Sequence, residues 1–98
     1  MENKSYSYPM DYDWTKEEMT KVINLWRAVE LAYEIGIKKE QFLISYREFK
    51  EVIPSIGEEK KWSRQFESVS GYSVYSVFQE SKKTDKKTIF MDDNKGNK

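Results

Sequence analysis

Cysteine and histidine are both missing from the 98-residue sequence. Without cysteine there is no disulfide framework, no thiol nucleophile and no zinc–thiolate site. Without histidine the chain lacks the commonest acid–base side chain and the commonest metal ligand. Net charge is missing too, because 17 basic residues balance 17 acidic ones. A neutral chain carries no electrostatic footprint for nucleic acid or an anionic membrane. Long apolar runs are absent. The start of the chain does not read as a secretory leader, and no stretch approaches the roughly 18 apolar residues of a membrane span. A cytoplasmic location without membrane contact is the simplest expectation. With only two prolines and four glycines, turns have to fall at few places.

Aromatic side chains are abundant, with seven Tyr, five Phe and three Trp making 15% of the chain. Area scaling for a chain of this length buries roughly two-thirds of the unfolded surface. Bulky rings help so small a core. Charge is unevenly spread. Residues 1–36 hold seven acids and four bases, and residues 72–98 hold four acids and six bases. The basic bias of the tail reads as a solvated end.

The stretch "YPMDYDWTKEE" (8–18) opens the ordered part. Pro9 fixes its own φ and pushes Tyr8 into extended backbone, so an extended arm is expected as far as Asp13. Thr15 then fits a helix N-cap, with Glu18 three residues later as a capping box and Trp14 and Met19 at hydrophobic-staple spacing. Met19, Val22, Ile23, Trp26, Val29 and Tyr33 recur with helical period, and Gly36 suits the end. The first helix is therefore expected over about 16–35. A second, Lys39–Val52, carries Phe42, Tyr46 and Phe49 on one face. It lacks a good cap and stops before Pro54. Ser55 and Glu58 form a second capping-box pair, opening a third helix with Trp62, Phe66 and Val69 inward and Gly71 at its end. Ser73 caps a short fourth helix marked by Val74, Val77 and Phe78.

These patterns predict an all-α fold of four helices in an irregular compact array, with an extended N-terminal arm and a disordered C-terminal tail. The domain limits follow as a flexible N-terminus at 1–7, one helical domain at 8–83 and a flexible polar tail at 84–98. Within that tail "TIFM" (88–91) reads either as a brief strand or as an apolar patch packing back.

The ordered set "YPMDYDW", "TKEEM", "VELAYEIG", "YREFKEVIPS", "GEEK" and "FESVSGYSVY" resembles the YktA-like uncharacterised proteins of Firmicutes. The resemblance covers about Tyr6 to Gln79. It implies an all-helical fold of four helices and no assigned activity. Trp26 and Trp62 fall where that family is expected to vary, so it gives them no role.

Each candidate site has a plainer reading beside it. The carboxylate pairs Asp11/Asp13, Glu17/Glu18 and Glu58/Glu59 have the residue type of an acid–base pair, but acids at helix starts also satisfy the dipole and free amides. Glu30 and Glu34 are like charges one turn apart and need solvent or partners. Ser70, Ser73 and Ser76 around Gly71 lack a histidine base. One glycine is too few for a phosphate loop, so a turn with a helix cap explains the segment. Arg47, Lys50, Lys60, Lys61 and Arg64 would share a basic face if the second and third helices ran antiparallel, yet Glu48, Glu51, Glu58, Glu59 and Glu67 interleave with them.

The expected role is a non-catalytic interaction module or regulatory adaptor for an unidentified protein partner, acting as a monomer or weak homodimer. No catalytic residue, cofactor or metal is assigned. The expected contact region is Tyr8, Pro9, Asp11, Trp14, Gly71, Tyr72 and Tyr75, because these aromatic segments are irregular. Nucleic-acid binding through the basic face is the disfavoured second reading. A carboxylate-based or metal-assisted enzyme is the third.

Overall fold

A computed structural model describes residues 7–91. Its elements run α1 (Lys16–Glu34), β1 (Ile37–Lys38), α2 (Lys39–Val52), α3 (Ile56–Ser70), α4 (Val74–Lys83) and β2 (Thr88–Ile89). Four helices in an all-α array are thus found where the sequence places them.

α1 is the spine. The Thr15 hydroxyl accepts the Glu18 amide at 3.1 Å, and the Glu18 carboxylate accepts the Thr15 amide at 2.9 Å, so the reciprocal capping box forms. Val22, Leu25, Trp26, Ala28, Val29 and Ala32 are buried along it. Trp26 sits at the centre. Its ring stacks on Phe66 of α3 at 4.7 Å and 6° and meets Phe49 of α2 at 5.6 Å. One indole thereby joins three helices, in the offset and tilted geometries that ring quadrupoles favour.

α1 ends at Gly36, whose φ of +99° only glycine adopts easily. A Cβ there would also come within 3.3 Å of Thr88 Cγ2. This tight turn feeds β1, which pairs antiparallel with β2 in the register Ile37↔Ile89 and Lys38↔Thr88. Ile37 and Ile89 are both buried. The backbone of Met91 donates to the Ala32 carbonyl at 2.7 Å. Within the polar tail expected from residue 84, "TIFM" (88–91) thus takes the brief-strand reading at Thr88–Ile89. Ile89 finds an apolar seat against the α1–β1 turn, and the ladder satisfies its backbone. Residues 92–98 and 1–6 lie outside the described residues.

The ladder also explains the start of α2. Its N-cap, Lys38, makes no side-chain capping bond. Instead the Lys39 amide donates to the Lys87 carbonyl at 2.7 Å. Phe42 and Phe49 are buried on the inner face of α2, and Ile53 closes the core before Pro54. At α3 the Ser55 hydroxyl accepts the Glu58 amide at 3.3 Å, which is the forward half of the expected box. Trp62 and Phe66 face inward, whereas Val69 is 42% exposed. The inward stripe of α3 is one residue shorter than expected.

Candidate functional site

The N-terminal arm is held from three sides. Pro9 is buried, and its carbonyl accepts the Trp26 indole N–H at 3.1 Å. The Tyr8 hydroxyl donates to Glu30 of α1 at 2.8 Å. Burial first, and then the Glu30 carboxylate, push the Tyr8 hydroxyl up to about 12, with Arg27 acting the other way. Trp14 packs on Trp62 of α3 at 4.9 Å. The Asp11 carboxylate accepts the Asp13 amide at 2.9 Å and its carbonyl accepts the Trp14 amide at 3.0 Å, closing the turn that enters α1. Of the expected contact residues, Tyr8, Pro9, Asp11 and Trp14 are thus engaged within the fold. Tyr12, at 88% exposed, is the arm's open aromatic ring.

The α3–α4 turn divides in the same way. Gly71 has φ +82° and ends α3 in the left-handed region. Ser73 caps α4 through the Ser76 amide at 3.1 Å. The Ser70 hydroxyl donates to the Phe66 carbonyl and accepts the Tyr72 amide. Tyr72 stacks on Tyr33 at 4.5 Å and donates its hydroxyl to Glu34 at 2.8 Å. Tyr75 is different, because it stands 68% exposed on the first turn of α4.

Tyr75 borders an apolar recess of about 230 Å³ between α3 and α4. Tyr46, Val74 and Phe78 line it from one side, and Ile56, Glu59 and Lys60 from the other. Ile56 is 67% exposed. Polar bonds and ring stacking brace one wall of the recess. Tyr46 stacks on Phe78 at 4.6 Å and donates to Glu59 at 2.5 Å, while Lys50 reaches the same carboxylate at 2.6 Å. Burial and the Glu59 bond raise the Tyr46 hydroxyl well above the usual tyrosine range. Sequence reasoning found Tyr75 but missed Ile56. The available signal was an apolar residue directly after a Ser cap. It shares a helical row with Glu59, Lys60 and Ser63, away from the Trp62/Phe66 stripe.

The other candidate clusters separate. Glu18 serves the α1 cap, Glu59 holds Tyr46 and Lys50, and Glu30 and Glu34 take tyrosine hydroxyls. No group of three or more carboxylates gathers for a cation among the described residues. The five cations expected on one basic face point to different surroundings. Lys50 is paired with Glu59, Lys60 lines the apolar recess and Lys61 lies 5.2 Å over the Trp62 ring. Arg64 lines a hollow beside Pro9, and Arg47 lines a separate cleft near β1. No helix among the described residues is long and apolar enough to cross a membrane.

Comparison with known proteins assigns kinship. Residues 5–90 match the uncharacterised protein family UPF0223. A UPF0223 protein of Enterococcus faecalis is 54% identical over 80 residues, covering 82% of this chain and 87% of the relative. One from Streptococcus gordonii is 51% identical over 89 residues, covering 91% and 97%. One from Bacillus cytotoxicus is 48% identical over 84 residues, covering 86% and 94%. The expected kinship with uncharacterised Firmicutes proteins holds at this level, and the chain belongs to the uncharacterised family UPF0223.

Proposed function

We propose that this protein is a non-catalytic interaction module that binds another protein through the α3–α4 recess. The observation that carries the reading is the pairing of Ile56 and Tyr75. Both are about two-thirds exposed, Ile56 on α3 and Tyr75 on α4, in the lining of one apolar recess that they share with Val74 and Phe78. Large apolar side chains kept in water around a concavity are what a partner's anchor residue fills. The remaining expected contact residues are engaged within the fold and do not line the recess. The absence of catalysis is supported by the use of the carboxylates, since Glu18, Glu30, Glu34 and Glu59 are each engaged by a cap, a tyrosine or a lysine. A cytoplasmic location and the narrower YktA-like grouping belong to the same reading.

The test is affinity capture from native lysate with wild type, Ile56→Ser/Tyr75→Ser and the control Tyr12→Ser. The partner so identified is then purified and its Kd measured against each variant. The recess variant is expected to lose about 2 kcal/mol or more of binding, as hot-spot truncations do, with an unchanged melting curve. Equal affinity for wild type and the recess variant, or loss with Tyr12→Ser instead, rejects this surface.

A further inference from the structure

A second cleft lies elsewhere, between α2 and the 85–88 segment, and holds about 890 Å³. Small-molecule sites range over roughly 300–1,000 Å³. Two lysine pairs far apart in sequence, Lys38/Lys39 and Lys86/Lys87, converge on it, and Arg47 joins them from two turns along α2. Glu40 and Asp85 are the acids in the lining, so the cleft carries a surplus of three positive charges on a neutral chain. Lys38, Arg47, Lys86 and Lys87 make no ion pair among the described residues. Leu43 and the 41%-exposed Ile44 supply an apolar surface beside the cations.

The walls are fixed to each other. The β1–β2 ladder pairs Lys38 with Thr88. The Lys39 amide donates to the Lys87 carbonyl at 2.7 Å, and the Lys39 ammonium to the Thr84 carbonyl at 2.9 Å. Like charges are therefore held together by backbone bonds, and Glu40 and Asp85 form no ion pair with them among the described residues. A multiply charged anion relieves that repulsion, and phosphate is the group that Arg and Lys bind best. The cations surround a hollow, whereas a single-strand binder lays them along a track.

We propose that this cleft binds a small organic polyphosphate, with its phosphates among Lys38, Arg47, Lys86 and Lys87 and its apolar ring on Leu43 and Ile44. The probes are ADP, inorganic pyrophosphate, adenosine and a short single-stranded oligonucleotide. They are titrated at low ionic strength into the isotope-labelled full chain and followed by amide chemical shifts. ADP and pyrophosphate are expected to shift amides in 38–47 and 85–88, and adenosine to leave them in place. Lys86→Glu/Lys87→Glu, at exposed positions whose backbone bonds survive, is expected to weaken both ligands about ten-fold or more. Ile44→Ser is expected to weaken ADP and leave pyrophosphate unchanged. The proposal is overturned by no shift up to about 10 mM, well above a 1 mM Kd. It is also overturned by shifts centred outside the cleft, by equal binding to the charge-reversed variant with its fold intact, or by tighter binding of the oligonucleotide than of ADP.

Discussion

Tyr8, Tyr46 and Tyr72 each donate a hydroxyl to a glutamate on another segment, namely Glu30, Glu59 and Glu34. This resolves the like-charge spacing of Glu30 and Glu34 on α1. Each carboxylate is claimed by a different tyrosine, one from the arm and one from the α3–α4 turn. The same bonds set an alkaline limit. Tyr8 and Tyr46 have folded-state pKa values raised above the usual tyrosine value of about 10, first by burial and then by their glutamates. The unfolded chain therefore gives up these protons first. The contribution is whole below pH 10 and is lost as pH climbs toward 12. Urea midpoints measured from pH 8 to about 11.5 are expected to hold and then fall from about pH 10, with Tyr8→Phe falling less steeply. Trp26 carries the heaviest single load. Trp26→Ala should cost about 3–5 kcal/mol, a large part of the roughly 5–15 kcal/mol typical of a small domain. Trp26→Phe keeps most of the ring and strands the Pro9 carbonyl, which should cost about 1–3 kcal/mol. Urea unfolding separates the two.

Among the elements, what was legible in the sequence is what is decided locally. Thr15 and Glu18 lie within one turn, and their capping box is found as read; Thr15→Ala should cost about 1 kcal/mol. The start of α2 was obscure for the opposite reason. Its cap is the Lys87 carbonyl, brought from the far end of the chain by the β1–β2 ladder. The same non-locality left β2 as one of two readings of "TIFM" (88–91), a brief strand or an apolar patch packing back. Two residues carry no period, and nothing near Ile89 in sequence shows that Ile37 awaits it. Val69 fails differently, because it continues the stripe of α3 in spacing. That last turn borders an open hollow with Arg64, Gln65 and Ser68 instead of the core. The ladder gives a direct prediction. Ile89→Ala should destabilise by about 2–5 kcal/mol, as a buried truncation does, whereas a change in a solvated tail stays within about 0.5 kcal/mol. Chemical denaturation of that single variant decides between them.

The whole molecule places its unfilled surfaces on different sides of α2. Its Tyr46 side braces the apolar recess with α3 and α4, and its Lys39–Arg47 side walls the basic cleft with the 85–88 segment. Neither surface was legible as a site, since each joins residues from distant segments. Only Tyr75 of the sequence-derived contact set stands at one of them, and aromatic irregularity alone does not separate a ring that braces the arm from one that faces water. The most direct test of the interaction reading is a photo-crosslinking side chain placed at Tyr75, compared with the same group at Tyr12. Both positions are exposed, so both variants should fold. A discrete covalent adduct with one protein is expected from residue 75 and none from residue 12. A discrete adduct from residue 12 alone, or none from residue 75 in the native cellular background, contradicts it.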